Sequence, residues 1–522
     1  MLRVFTPLTL AATLLLLVLA GAVGDATQAP ARTERASAYE PPKPKRKPPR
    51  KPHVVLLIMD ELPSDSLLDR RGRIDRVRYP NFAALAGDST WFRNAYSIYD
   101  STSKAVPLIL DGKWPSYGSA AGRAGHPRSI FDTFRRRGYR MVASEEASAL
   151  CPPRMCRGGR ARVPDIPPLL NRGRPGRFDR WVRKIGDGRP TFWMKHLLLP
   201  HIPYMYLPSG ARTRPGPRDP LPGMTTTPGF HDEYLTRHNE QRYLLQLGYT
   251  DRLLGRLLRR LKREGIYDET LIVVVADHGY LWRSGVPTRR RALAGTAHEL
   301  SPVPFIVKKP VQRRGRVSDA FARTLDVPST IADVLGVRLG YRDDGRSAFS
   351  RAARRTRRVT FPTRDFDAVV TVPGNRWLAQ RRRVVRRRLH QFGSGDLASL
   401  YTGIGPNREL IGRDVSGVAR VAGSARRGAI AGGGLFANVR RSSGVVPTQI
   451  AGLLHDGSGE PRDVAVAVNG EIAAVGRSFR LAGRPRESFA FMVPEEALHD
   501  GHNTVEVFEV LGGRRLRLLA SR

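Results

Sequence analysis

Two apolar runs frame the chain, one near its start and one past its middle. The first is His53-Val-Val-Leu-Leu-Ile-Met-Asp60-Glu61 and the second is Leu271-Ile-Val-Val-Val-Ala-Asp277-His278-Gly279. Neither alternates with polar residues until it ends in acids. An unbroken run of this kind belongs to a strand covered on both faces, as in a parallel sheet. Between and after them, strand and helix patterns alternate. Tyr79-Pro-Asn-Phe-Ala-Ala-Leu-Ala opens a helix at its proline. Thr90-Trp-Phe-Arg-Asn-Ala-Tyr reads as a strand, Ser129–Phe134 as a helix, and Tyr139–Ser144 and Thr191–Leu199 as strands. From about Glu233 to Glu264 the apolar positions Tyr243, Leu247, Leu254, Leu257, Leu258 and Leu261 recur at helical spacing, and Gly265 closes the helix. Val303-Pro-Phe-Ile-Val is a further strand. Such alternation predicts an α/β domain around a central sheet.

After about Val415 the texture changes. Val464–Val468 and Glu471–Val475 flank Asn469-Gly470, a strong hairpin signal. Thr504-Val-Glu-Val-Phe-Glu-Val alternates as a half-buried strand does. The tail therefore reads as a small β-sandwich-like domain. The predicted organisation is a signal peptide or membrane anchor over 1–24, a Pro/Lys/Arg-rich linker over 25–52, a catalytic domain over 53–415 and a C-terminal β domain over 416–522.

Composition adds three points. The formal net charge of the 522 residues is +41, carried mostly by arginine. The arginines are spread along the whole chain, which fits solvated surface better than a nucleic-acid interface, and no nucleic acid is expected as a partner. Denser clusters at Lys43–Lys51 and Arg381–Arg388 suit a membrane surface or an anionic envelope polymer. Val4 to Gly24 carries no charge and is long enough to span a bilayer; Ala20-Gly-Ala22 also offers a cleavage site, so a cleaved signal and a retained anchor both fit. Either way the folded part is expected outside the cytoplasm. Cys151 and Cys156, too few for a zinc knuckle, are either two free thiols or a small loop disulfide in an exported chain.

The chemistry lies at the strand ends. In open α/β sheets ligands bind beyond the carboxyl ends of the strands. Asp60, Glu61, Asp277 and His278 sit there, and carboxylates with an imidazole form a metal-ligand set. The segment Asp100-Ser-Thr-Ser-Lys104 precedes an apolar stretch that ends at Gly112. Its hydroxyls serve either as a helix cap or as a nucleophile at the positive end of a helix.

These stretches, in this order, resemble the sulfatase-like branch of the alkaline phosphatase superfamily. The resemblance covers about Lys51 to Gly340. It rests on the opening strand with Asp60-Glu61, the segment ending Leu-Ile-Leu-Asp-Gly112, Leu199-Pro-His201-Ile-Pro, the strand ending Asp277-His278-Gly279, Val303-Pro-Phe-Ile-Val, and Leu325–Gly336. It implies a mostly parallel central sheet flanked by helices. Counting back ten from Gly112 puts Thr102 at the nucleophile position. Sulfatases carry Cys or Ser followed by x-Pro-x-Arg there, whereas this chain reads Thr102-Ser-Lys-Ala-Val. A threonine is similar instead to the phosphoglycerol and phosphoethanolamine transferases and the nucleotide phosphodiesterases of the superfamily.

The resemblance implies one or two divalent ions (Zn, Mn, Ca or Mg) held by Asp60, Glu61, Thr102, Asp277 and His278. Thr102 would be the nucleophile toward an anionic phospho- or sulfo-ester, assisted by Lys104 and His201. His201 and His298 would bind substrate oxygens. The arginines Arg289 to Arg291 read as solvated loop charge rather than as a clamp for a polyanionic substrate, the other role open to them, and regular strand parity leaves His196 out of the set. A sulfatase, and a non-catalytic protein that binds anionic envelope polymer, are the alternatives.

Overall fold

In the computed structural model, the buried runs become neighbouring strands of one sheet; the described residues are 49–522 apart from Asp187, 226–231, Pro287, 456–458, Ala482 and Pro485. The predicted export segment, Val4–Gly24, and the linker up to residue 48 lie outside them. The strands are β1 (Val54–Asp60), β2 (Thr90–Phe92), β3 (Arg140–Ser144), β4 (Thr191–Pro200), β5 (Leu271–Ala276), β6 (Phe305–Lys308) and β7 (Arg316–Ser318). Their spatial order is β3-β4-β1-β5-β6-β2-β7. At the centre, β1 pairs in parallel with β4 and β5, and β3 joins β4 in parallel. Only β6 runs against its neighbours β5 and β2. Every residue of β1 and of β5 is buried, which is why neither strand alternates.

The period of two sorts side chains between two cores. Val55, Leu57 and Met59 pack with Tyr243, Leu247 and Leu254 of the long helix Glu233–Arg263. Val54, Leu56 and Ile58 pack on the other face with Ala105, Val106 and Ile109 of the helix Thr102–Asp111. Leu271, Val273 and Val275 of β5, and Phe192 and Met194 of β4, share that second face. The next residues in each series are Asp60, Asp277 and His196. Strand parity thus aims all three toward the start of the helix Thr102–Asp111.

The long helix begins at Asp232, whose carboxylate accepts the Leu235 amide at 2.7 Å. Each leucine it buries contributes roughly 1.5–3 kcal/mol. Beyond the central sheet, two further sheets face each other. Val464, Val466 and Val507 of the five-stranded one share a core with Ile450, Phe489 and Phe491 of the four-stranded one. The hairpin expected at Asn469-Gly470 joins strands Asp463–Val468 and Glu471–Arg477, with both turn residues at positive φ. Gly476 lies against the Tyr234 side chain, which ties these sheets to the long helix. Residues Lys47–Arg522 form one compact unit, and its core runs without interruption from the long helix into the C-terminal sheets.

Several arginines serve the interior. Arg381 and Arg388 of the helix Gly374–Phe392 turn inward onto the Asp65 carboxylate and onto the carbonyls of Asp65 and Leu68. Arg78 spans the carbonyls of Phe392, Gly393 and Asp396. Arg174, fully buried, donates to the carbonyls of Leu198 (3.0 Å), His201 (2.6 Å) and Pro203 (2.5 Å). The Arg381–Arg388 cluster is therefore only partly a charged surface; Arg382, Arg383, Arg386 and Arg387 remain exposed. Cys151 and Cys156 form a disulfide. Among the described residues, no helix is long and apolar enough to cross a membrane.

Candidate metal and catalytic centre

The carboxyl ends of β1, β4 and β5 bring Asp60, His196 and Asp277 together, with one ligand atom of each within 4.8 Å of the others. All three are buried. Asp277 divides its oxygens between two tasks. Its Oδ1 accepts the Glu61 amide at 3.0 Å and the His278 amide at 2.7 Å, so it knots the ends of β1 and β5 together. Its Oδ2, like both ring nitrogens of His196, has no hydrogen-bond partner among the described residues. Buried polar atoms are rarely left this way. Burial, and then the neighbouring Asp277 and Glu61 carboxylates, push the Asp60 carboxyl well above its usual range. Two carboxylates and an imidazole with unused lone pairs fit a divalent cation.

Thr102 opens its helix beside this group. Its Oγ1 donates toward Asp60 Oδ1 at 3.4 Å and lies 3.2 Å from His278 Nε2. His278 Nδ1 is 2.9 Å from the Gly279 carbonyl, which can only accept, so Nδ1 carries the proton and Nε2 offers its lone pair toward Thr102. Gly279 is required here. A Cβ would stand 2.7 Å from the carbonyl oxygens of Glu299 and Leu300. The hydroxyl also sits at the positive end of the helix dipole.

A second cluster stands next to the first. Glu61 follows Asp60 with φ 57°, a left-handed conformation that turns its carboxylate away from the three converging ligands. Glu61 Oε1 lies 3.2 Å from Arg289 Nη2, 3.4 Å from Arg290 Nε and 3.5 Å from His201 Nε2. Burial alone would raise the Glu61 carboxyl, but Arg289, His201 and Arg290 outweigh it and hold it at about 2. Burial pushes His201 down to about 3, and its Nδ1 is held by the Ile202 carbonyl at 2.6 Å. Arg174 and Gln246, whose amide reaches the carbonyls of Pro200 and His201 at 2.9 Å each, fix the loop that carries His201. A cavity of about 680 Å³ opens over both clusters, lined by Asp60, Thr102, His201, Arg289 and Arg290, with Ile166, Leu170 and several prolines on its walls.

Of the expected residues, Asp60, Thr102, Asp277 and His278 come together, and His201 lines the same cavity. Three lie elsewhere. Glu61 pairs with arginines rather than joining the converging ligand atoms, because its left-handed backbone points it the other way. Lys104 lies past the helix start and donates to the Ser116 carbonyl at 3.0 Å and the Ser119 carbonyl at 2.6 Å. His298 faces Arg283 at 3.3 Å and Glu299 at 3.7 Å, outside the cavity lining. Conversely, His196 belongs to the centre, and Arg289 is 2% exposed rather than solvated. The parity of Phe192, Met194 and His196 would have found the first. Arginines in an irregular loop leave no such signal.

Residues 177–337 match the sulfatase family model. Over those residues the chain is similar to sulfatases. The matched stretch carries Asp277, His278, His196 and His201, and begins after Asp60 and Thr102. The chain is similar to a choline-sulfatase of Rhizobium meliloti, 23% identical over 55% of this chain and 68% of that protein. It is also similar to an ulvan-active sulfatase of Formosa agariphila, 22% identical over 56% of this chain and 62% of that one. Among solved structures, a phosphonate monoester hydrolase of Agrobacterium radiobacter aligns at 16% identity and a TM-score of 0.43, covering 65% of this chain and 95% of the other.

Proposed function

We propose that the protein is an extracytoplasmic, metal-dependent phosphoester hydrolase or phosphotransferase with Thr102 as its nucleophile. The observation that carries this reading is the Thr102 hydroxyl, set between Asp60 and His278 at the floor of an open cavity. Asp60, Asp277 and His278, with His196, would hold the metal, and Thr102 would complete the set. A divalent ion bound there supplies Lewis acidity that lowers the hydroxyl pKa. The Thr102 hydroxyl proton has two acceptors in reach, Asp60 Oδ1 and the His278 Nε2 lone pair. Thr102 Oγ1 attacks phosphorus in line, a P–O bond forms to threonine, and the leaving oxygen departs toward the cavity mouth. Water or an alcohol then releases the phosphoryl group by the same path. His201, neutral and with Nε2 accepting from Arg289, helps to orient that guanidinium at the cavity wall.

The uncharged stretch Val4–Gly24 and the basic linker after it support action outside the cytoplasm on an envelope lipid or polymer. Sulfate ester cleavage is the second reading, favoured by the names of the two relatives. The absence of Cys or Ser followed by x-Pro-x-Arg at position 102 counts against it. The test is turnover of aryl phosphodiester, phosphomonoester and sulfate substrates by the metal-loaded full chain. Phosphodiester cleavage should exceed sulfate cleavage, and Thr102→Ala should lower it by roughly a thousandfold or more. Mass spectrometry should find a phosphate adduct on Thr102. Faster sulfate turnover, or activity that survives Thr102→Ala, refutes the reading.

A further inference from the structure

A second groove, of about 460 Å³, is lined by the helix Gly374–Phe392, the turn after Leu68 and β2, and shares no residue with the cavity over Thr102. Its floor is apolar. Trp91 and Leu389 are buried there, and Leu378 and Val385 are half-buried. Leu378, Arg382, Val385 and Leu389 recur at helical spacing, so one helix face supplies both floor and charge. Six arginines line the groove against three acids, a surplus of three positive charges. Each acid is already engaged. Asp65 pairs with Arg381 at 2.5 Å, Asp319 pairs with Arg93, and Asp69 accepts the Arg71 and Arg73 amides at 2.8 and 3.0 Å. Arg70 and Arg71 from the turn, and Arg382 and Arg386 from the helix, are exposed. Their side chains make no hydrogen bond or ion pair among the described residues. A cleft with apolar walls and charge of one sign concentrates its potential inside. These charges stand above the floor, so a flat bilayer cannot reach both. A single strand can lie on the floor with its acidic groups against the arginines.

We propose that this groove binds one strand of an anionic polymer with a carbon backbone, and holds it outside the catalytic cavity. The inference rests on the proposed function only for the use made of the held polymer. Binding itself needs neither a metal nor Thr102.

The experiment titrates the metal-loaded full chain, by calorimetry, with short poly(vinylphosphonate), a carbon chain bearing anionic groups and no ester, and with inorganic polyphosphate. Arg382→Gln with Arg386→Gln, and Arg70→Gln with Arg71→Gln, should each bind the phosphonate polymer roughly threefold to thirtyfold more weakly, the range for two exposed ion pairs. Arg259→Gln with Arg263→Gln, an exposed pair of the same spacing on the long helix, should bind it as the unsubstituted protein does. Val385→Ser should weaken the phosphonate polymer, which has carbon to lay on the floor, and leave polyphosphate unchanged. The groove pairs should turn over a small aryl phosphodiester at the parent rate. Equal losses from the groove and control pairs overturn the proposal, as do no loss from the groove pairs, a Val385→Ser effect common to both polymers, or slowed turnover in the groove pairs. Loss of binding to phosphatidylglycerol vesicles that is confined to the groove pairs, with polymer affinity unchanged, assigns the face to a membrane and overturns it too. Turnover that survives Thr102→Ala would sink the nucleophile assignment while leaving the groove standing on the polymer titrations.

Discussion

Replacing Asp277 by asparagine separates two duties that one side chain performs. The Oδ1 atom accepts two buried amides, from Glu61 at 3.0 Å and His278 at 2.7 Å. Asparagine keeps an oxygen for both, so the metal-free variant should match the metal-free parent within about 1 kcal/mol. The Oδ2 atom has no hydrogen-bond partner among the described residues and faces the candidate ligands. Asparagine places an amide nitrogen there, which cannot ligate. Substitution of groups outside a metal's own ligands already costs 10–100-fold in affinity, so loss of a ligating carboxylate should cost at least about 100-fold. At a metal concentration one hundred times the parent's Kd, binding adds about 2.7 kcal/mol to stability. The same concentration would then equal the variant's Kd and add only about 0.4 kcal/mol. Asp277→Ala removes both duties and strands two buried amides, at a further cost of about 2–4 kcal/mol even without metal. Chemical denaturation of the three proteins with and without Mn²⁺ measures every value. If Asp277→Asn retains the full metal increment, the centre does not lie where the strand ends converge. If it is as unstable as Asp277→Ala without metal, the division of labour between the two oxygens is wrong.

Three further outcomes follow from the same geometry. His196→Ala should weaken metal binding by about tenfold or more, whereas His298→Ala, outside the cavity, should leave turnover unchanged; equal effects in a kinetic assay would contradict the placement of both. Arg381→Met removes the counter-charge of the buried Asp65 and should cost about 3–5 kcal/mol in urea titration. Gly476→Ala would press a methyl group into the Tyr234 ring and should destabilise the chain by about 1–3 kcal/mol, with a matching fall in melting temperature.

The centre of the sheet was legible because burial on both faces erases alternation. The runs ending at Asp60 and Asp277 marked themselves as neighbours, and their end residues fell on one face by parity. The hairpin at Asn469-Gly470 was legible for a local reason, since two consecutive positive φ values restrict which residues fit. His196 was misassigned through a register shift. β4 follows β1 regularly as far as Met59 opposite Leu197, then Asp60 pairs with Pro200, so parity counted back from His201 gives the wrong face. Glu61 was misread because backbone handedness at the end of a strand has no signature in side-chain type. Lys104 and His298 show that proximity in sequence to a nucleophile or a strand end does not put a side chain in the cavity. Arg290 owes its place to a loop whose path only tertiary packing decides.

The inward-facing arginines change what the chain's excess charge means for engineering. Arg78, Arg174, Arg381 and Arg388 each span several backbone oxygens or a carboxylate from distant segments, as a planar fork can and an ammonium cannot. A library that recodes arginine to lysine would meet two populations under one codon change. The exposed members, such as Arg382 and Arg386, would exchange freely. The four forks would release the loops they clasp, and survivors of such a library would retain arginine at those positions first.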